Sequence, residues 1–176
     1  MKKVTSLLMV SMSVMSTAGG YGTGFSEIEP EPDNLKPLIE EFEGIKLKAY
    51  RCPGGVPTIG IGTTRYDDGT KVKLGDEITL DYAEVLYKRD VDRVREEIDE
   101  LVVPSLSRNQ ADALVSFVYN IGITAFRNST LLGMINKNPN SKSIKREFME
   151  WTYSKGKKLK GLTRRRKAEV ELYFSN

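Results

Sequence analysis

An acidic, proline-containing stretch from Glu27 to Asp33 limits what this chain can fold into. Four of its seven residues are acids and two are prolines. Charges of one sign and prolines keep a segment extended and solvated, so we expect residues 27–33 to be a linker without a core. The folded body is therefore expected over residues 34–176.

The residues before this linker have the composition of an export segment. Lys2 and Lys3 give a positive start, and the 23 residues from Val4 to Ser26 carry no charge. A stretch of that length could cross a bilayer, which needs about 20 residues, but its Ser, Thr and Gly residues make it weakly hydrophobic. Three interpretations of residues 1–26 stay open: a secretory signal cleaved before Gly19, a permanent anchor, which the composition disfavours, and a disordered tail.

The chain has no histidine and a single cysteine, Cys52. One cysteine excludes an intramolecular disulfide, and the lack of histidine removes the usual general base and most zinc sites. Hydrolytic chemistry must therefore use carboxylates, the thiol, hydroxyls or lysines. We expect no metal and no organic cofactor.

Apolar residues recur at helical spacing through most of the body, with one β-rich stretch near its start. Residues 35–42 follow an amphipathic pattern, with Asp33 or Asn34 as the predicted helix cap. Residues 56–64 follow a Pro-Gly-Gly turn and are rich in glycine and β-branched residues, which predicts a hairpin, and residues 72–74 indicate another short strand. Further helices are predicted over residues 80–102, 107–122, 129–136, 142–153 and 163–174.

These elements predict an α+β fold that is mostly helical. A small α+β lobe with a β-hairpin would cover about residues 34–79, a long connecting helix about 80–102, and an all-helical lobe about 104–176. A cleft between two such lobes suits a polymeric ligand.

Three side chains that can take part in chemistry lie close together in the first lobe. Glu43 falls one turn after Ile39, at the margin of the apolar helix face, where partial burial favours the proton-bearing carboxyl group that a general acid needs. Cys52 adjoins Arg51, whose charge would favour the thiolate. Thr58 offers a hydroxyl on the predicted strand. On spacing alone each also fits a structural role, as a solvated helix edge, an inert thiol and a strand residue.

The segment from Glu43 through Cys52 to Thr58 resembles the active-site region of the phage lysozymes, endolysins that cut the glycan strands of bacterial peptidoglycan. Many members of that family carry aspartate where this chain has Cys52, and histidine where it has Thr63. Further motifs extend the resemblance over about residues 35–173, and these are Asn109–Phe117, Tyr119–Gly122, Phe126–Leu132, Glu147–Trp151 and Gly161–Glu169.

The resemblance implies a lysozyme-like fold and a glycoside hydrolase that cuts the β-1,4 bond between N-acetylmuramic acid and N-acetylglucosamine, for host cell lysis at phage release. It implies Glu43 as general acid, Cys52 and Thr58 as residues that position or activate water, and Asn120 as a substrate-binding residue. The role of the thiol as base, nucleophile or positioner stays open, as does inversion or retention. A lytic transglycosylase and a catalytically silent peptidoglycan-binding protein are the alternatives.

Some phage lysozymes carry a signal-arrest-release segment, an uncleaved, weakly hydrophobic helix that first tethers the enzyme and later leaves the membrane. Residues 4–26 fit such a segment, which we place ahead of a cleaved signal. The enzyme would then be exported to the host periplasm, be tethered at first to the inner membrane, and act as a monomer on peptidoglycan.

A strongly basic stretch near the end of the chain supports a competing set of partners. Eight of the thirteen residues from Lys155 to Lys167 are positively charged. Such a patch could bind nucleic acid, the carboxylates of peptidoglycan stem peptides, or anionic lipid. No recognition-helix motif or series of aromatic residues accompanies it, so we predict no nucleic-acid partner.

Overall fold

The computed structural model of this chain describes residues 34–52, 54–154 and 156–175. The export segment 1–26 and the linker 27–33 expected from the sequence lie outside these ranges. Within them, no helix has both the length and the apolar character needed to cross a membrane.

Helix α1, Leu35–Glu43, opens the described body and buries Leu35 and Ile39. The expected cap at Asn34 forms without a side-chain capping bond, because the Asn34 amide instead donates to Asn109 Oδ1 at 3.3 Å. Gly44 ends the helix with a φ of 67° and donates its backbone N–H to the Glu40 carbonyl. Glu43 is therefore the last helical residue, directly before the chain turns away.

A two-stranded antiparallel hairpin follows, with β1 at Lys46–Arg51 and β2 at Pro57–Gly60. The strand predicted over residues 56–64 is shorter than expected, because Gly60 and Gly62 have positive φ and turn the chain back on itself. The hairpin predicted from the turn residues is confirmed. Its second strand simply ends four residues early.

The short strand expected over residues 72–74 is absent from this part of the described chain. Lys73 and Asp76 form a turn instead: the Lys73 N–H donates to the Asp76 carboxylate, and the Asp76 N–H donates to the Lys73 carbonyl. Strand pairing around this turn is limited to isolated β-bridges, such as the one between Arg65 and Lys71. Local side-chain bonding to the backbone competes with strand pairing, and here the turn forms.

Helix α2, Leu80–Asp99, runs on from this lobe and ends three residues before the predicted limit of 102. Thr79 caps it, with its hydroxyl accepting the Tyr82 N–H at 3.2 Å. The buried side is set by Ala83 and Leu86, and Val85 on the opposite side is exposed.

The rest of the described chain is helical apart from one small hairpin. Ser107 and Gln110 form a capping box, and Gly122 ends the helix that they open. The predicted helix over 142–153 is shorter than expected, because a hairpin of two-residue strands occupies the chain before the last helix. The elements in order are α3 Arg108–Ile121, α4 Ile123–Arg127, α5 Thr130–Lys137, α6 Ile144–Glu150, β3 Tyr153–Ser154, β4 Lys157–Lys158 and α7 Lys160–Tyr173.

The core of the helical lobe surrounds Phe117 in the middle of α3. The Phe117 ring packs edge-on against Phe148 at 5.0 Å, Trp151 at 5.7 Å and Phe126 at 6.3 Å between ring centroids. Such tilted pairs bury large apolar area in the preferred geometry. Because α3 is anchored in this way, the residues at its end have a fixed place. The mostly helical α+β architecture predicted from the sequence is confirmed.

Candidate active site

Glu43 lies at the end of α1 and is held by an arginine from the last helix. Arg165 Nη1 donates to Glu43 Oε1 at 2.5 Å. The Glu43 side chain keeps one-fifth of its surface exposed (20%), whereas that of Arg165 is 4% exposed. The carboxyl group therefore faces solvent from a position that is fixed on its protein side.

At Gly62 the backbone passes close to Oε2, the second oxygen of the Glu43 carboxyl group. A Cβ atom at Gly62 would lie 3.1 Å from Tyr119 Cε1, a tight contact, and 3.6 Å from Glu43 Oε2, at van der Waals distance. The Tyr119 hydroxyl donates to the Ile61 carbonyl at 2.7 Å and ties α3 to this turn. A positive φ of 96° adds a second reason for glycine at this position.

Cys52 and Thr58 lie on the two sides of the β1–β2 turn. The Cys52 N–H donates to the Val56 carbonyl at 3.0 Å, and the Gly55 N–H donates to the Cys52 carbonyl at 2.7 Å. Thr58 is 3% exposed, and it pairs across the hairpin with Tyr50. Cys52 is half-buried and not disulfide-bonded.

The turn favours the thiolate form of Cys52. Burial raises the pKa of the Cys52 thiol, but backbone N–H donors at Val56 and Gly54 and the Thr58 hydroxyl together lower it below the usual value of 9.0. Arg51, expected to act on the thiol, instead donates through Nη1 to the Gly55 carbonyl at 3.0 Å. The thiolate is therefore stabilised by hydrogen-bond donors of its own turn.

Tyr50 on β1 feels the charges of both Glu43 and Cys52. Burial raises the pKa of the Tyr50 phenol, and the negative charges of Glu43 and Cys52 raise it further. Of the three residues expected to converge, Cys52 and Thr58 lie on the two sides of one hairpin turn, and Glu43 is bonded to Arg165 of the last helix.

Asn120, expected at the cleft, lies exposed near the end of α3. Its Oδ1 accepts from Arg166 Nη2 at 3.1 Å. Arg166 is the neighbour of Arg165, which holds Glu43, so Glu43 and Asn120 are bonded to adjacent arginines on α7.

A cavity of about 630 Å³ extends from Gly62 and Tyr119. Its wall includes Arg93 and Glu97 from α2, and Thr124 from α4. Both charged and uncharged polar groups therefore line a space large enough for a sugar unit of a polymer. Within the described ranges, no group of three or more carboxylate or thiol side chains is placed to hold a metal ion.

Sequence reasoning did not single out Arg165, Tyr119 or Glu169 as site residues. In the sequence, Arg165 belongs to the basic stretch from Lys155 to Lys167 and to the motif Gly161–Glu169, and neither assigns it to the site. Its spacing four residues before Glu169 is the local signal that could have identified a buried ion pair on one helix face. Tyr119 carried no comparable signal, because its role depends on the distant turn at Gly62.

Comparisons with known proteins agree with this geometry. The sequence profile described as phage lysozyme matches residues 40–169. The endolysin of Acyrthosiphon pisum secondary endosymbiont phage 1 is 40% identical over 142 residues, covering 78% of this chain and 93% of that protein. The SAR-endolysin of bacteriophage PS119 is 35% identical over 131 residues, covering 74% of this chain and 75% of its own length.

A solved structure gives the same result for the fold. The endolysin from Escherichia coli O157:H7 phage FAHEc1 aligns with a TM-score of 0.70 and 38% identity, covering 79% of this chain and 89% of that one. The lysozyme-like arrangement expected from the sequence is thereby confirmed.

Proposed function

Because this chain belongs to the phage lysozyme family, we propose that it hydrolyses the β-1,4 bond between N-acetylmuramic acid and N-acetylglucosamine in bacterial peptidoglycan. Its endolysin relatives identify it more generally as a phage lysis enzyme that degrades peptidoglycan. The observation that supports the specific reaction is the carboxyl group of Glu43, which is held by Arg165 and lies beside Gly62, a residue that lines the open cavity.

In this proposal Glu43 is the general acid. Arg165 occupies Oε1, so Oε2, which faces Gly62, is the oxygen that donates a proton to the glycosidic oxygen as the bond to the anomeric carbon breaks. A bound sugar excludes water from this side of the carboxyl group.

Cys52 and Thr58 act on the attacking water. The water oxygen attacks the anomeric carbon from the face opposite Glu43, and the Cys52 thiolate accepts the proton that the water loses. The Thr58 hydroxyl donates to the Val56 carbonyl at 3.0 Å and so holds the turn that carries Cys52. The lowered pKa of the thiol increases the thiolate fraction near neutral pH. Attack by water on the far face inverts the anomeric configuration.

Asn120 binds the substrate through its amide N–H groups. Its Oδ1 is occupied by Arg166, so the Nδ2 donors are directed away from the protein and suit the carbonyl oxygen of an N-acetyl or peptide group. No metal or organic cofactor takes part in these steps.

Residues 4–26 carry the enzyme across the host inner membrane and tether it there until release. The support is the uncharged, weakly hydrophobic composition of the segment and the presence of SAR-endolysins among the relatives. Fractionation of producing cells, followed by mass measurement of the soluble periplasmic protein, tests this proposal. We expect the intact mass there, whereas a mass that begins at Gly19 would mean a cleaved signal.

The function is tested by the rate at which the full-length protein clears purified peptidoglycan. We expect Glu43→Gln to lower the rate by about 100-fold or more, the range that a positioned general acid contributes. Cys52→Ser should be inactive and Cys52→Asp active, because aspartate can replace the thiolate as a base. Clearing by Glu43→Gln at the wild-type rate would contradict the assignment, and a wild type that binds but never clears peptidoglycan would indicate a silent binding protein.

A further inference from the structure

Glu169, a fully buried carboxylate on α7, lies at the centre of the contacts behind the site. It is 0% exposed. Its Oε1 accepts from Ser116 Oγ at 2.9 Å, from Arg166 Nη2 at 3.0 Å and from Arg165 Nε at 3.1 Å. Its Oε2 lies 2.7 Å from Arg166 Nε.

The surroundings of Glu169 consist of hydrogen-bond donors and positive charge. Burial is the largest influence and raises the pKa of Glu169, and the two arginines and the Ser116 hydroxyl oppose this by favouring its charged form. The three recorded hydrogen bonds to the carboxylate all end on Oε1, and Oε2 faces Arg166 Nε as an ion pair. Burial also lowers the pKa of Arg166, to about 10, which leaves Arg166 charged at neutral pH.

Each of the two arginines uses a further donor on a residue of the proposed site. Arg165 Nη1 donates to Glu43 Oε1, and Arg165 Nη2 fixes the guanidinium on the Ser116 carbonyl at 3.1 Å. Arg166 Nη2, the nitrogen that bonds Glu169 Oε1, also donates to Asn120 Oδ1 at 3.1 Å. A planar guanidinium has its donors in a fixed fork, so fixing one edge fixes the direction of the other.

We propose that Glu169 is a positioning residue for the glycosidase reaction, which sets the places of Glu43 and Asn120 relative to each other through Arg165 and Arg166. This inference rests on the proposed function, because it assigns Glu43 and Asn120 to the same substrate. Glu169 itself is too deeply buried to touch a sugar. A buried ion triad often stabilises the folded state no more than apolar residues of the same volume do. A contribution to folding stability therefore does not by itself account for the triad of Glu169, Arg165 and Arg166.

The full-length Glu169→Gln variant tests the proposal, because glutamine keeps the shape and removes the charge. We expect kcat on peptidoglycan to fall about 10- to 100-fold at equal folded fraction, the effect of misplacing a catalytic group by less than about 1 Å. We also expect the alkaline limb of the pH–rate profile to move to lower pH. The variant would leave the two guanidinium charges near Glu43 without their counter-charge. The phenols of Tyr50 and Tyr119 are the other titratable groups that interact with Glu43.

Asp112→Asn is the matched control. Asp112 is also a carboxylate with no exposed surface, on α3, paired with Arg95 at 2.7 Å and Arg108 at 3.7 Å, and none of its recorded contacts is with a site residue. Loss of this pair should lower thermal stability while kcat and the pH–rate profile stay as in the wild type. The fluorescence of Trp151 reports the folded fraction of every variant.

Two milder changes keep the test decisive if Glu169→Gln does not fold. Ser116→Ala removes one donor from the carboxylate and should lower kcat by a few-fold, whereas Glu169→Asp keeps the charge and should keep the wild-type pH–rate profile. Glu169→Gln or Ser116→Ala with wild-type kcat and pH–rate profile would overturn the inference while Glu43→Gln stays inactive. An active Glu43→Gln would overturn the proposed function itself.

Discussion

Arg165 and Glu43 meet at 2.5 Å although 122 residues separate them in the chain. The contact joins α7 to the end of α1, so the last helix fixes a group of the first. Both residues come from motifs of the phage lysozyme resemblance, which the family match confirms. Their pairing gives the proposed general acid a fixed position on its protein side.

Replacement of Arg165 by lysine should lower activity strongly. Lysine keeps the charge but cannot bond Glu43, Ser116 and Glu169 at once, so the carboxyl group of Glu43 loses its fixed direction. We expect kcat to fall by about 100-fold, measured on the folded fraction.

Arg164→Lys is the control for this change. Arg164 is mostly exposed and pairs loosely with Glu41 at 3.6 Å. Its replacement should change kcat by less than about twofold, since exposed ion pairs contribute little. Equal losses in both variants would mean that the general positive charge of α7, rather than the Arg165 contact, supports activity.

Gly62→Ala should lose activity, since its new Cβ would press on Tyr119 and approach Glu43 Oε2. Gly75→Ala is matched to it, having a φ of 100° but nothing within 4 Å of the new Cβ. Both variants should lose about 1 kcal/mol or more of stability from the positive φ, measured by urea unfolding. Loss of peptidoglycan clearing by both, or by neither, would count against a close approach at Gly62.

The thiol of Cys52 should react with iodoacetamide at lower pH than a free cysteine. The midpoint of the pH–rate curve is expected below 9.0, because the turn donors and Thr58 stabilise the thiolate. Thr58→Val should raise this midpoint by removing one donor. The same protein unfolded in urea supplies the reference, and identical midpoints in the folded and unfolded states would refute the proposed stabilisation.

Thr63→Val should lower the free energy of unfolding by about 1–3 kcal/mol, because it removes a buried hydrogen-bond partner from Asp90. The Thr63 hydroxyl donates to Asp90 Oδ2 at 2.8 Å, and both residues are buried. Thr163→Val removes a comparable exposed bond, from the Thr163 hydroxyl to the Leu159 carbonyl at 3.0 Å, and should cost less than about 0.5 kcal/mol. Equal costs would show that the Thr63 bond contributes no more than a surface one.

Much of the fold could be predicted because its signals are local. The caps at Thr79 and Ser107 follow from side-chain bonds within a few residues, and the helix end at Gly122 follows from its positive φ. The β3–β4 hairpin escaped prediction, because its two-residue strands give no periodic pattern. Propensity cannot resolve pairings that short.

The contacts of the candidate site also differ in whether local sequence can predict them. Cys52 and Thr58 lie across one turn, so their contact could be predicted from local sequence. Arg165 could not be assigned to Glu43, because that pairing depends on how α7 packs against α1. Arg51 was expected to act on the thiol through its charge. Its guanidinium bonds the Gly55 carbonyl instead, a choice set by turn geometry.

The most direct test of the central claim is the digestion of peptidoglycan by the full-length enzyme in water enriched with heavy oxygen. Mass spectrometry of the released muropeptides then shows whether water enters the product. Hydrolysis predicts reducing-end products that carry one heavy oxygen each, formed by the wild type and not by Glu43→Gln. Anhydro products, lighter by one water and without label, would instead identify a lytic transglycosylase and contradict the role assigned to Cys52 and Thr58.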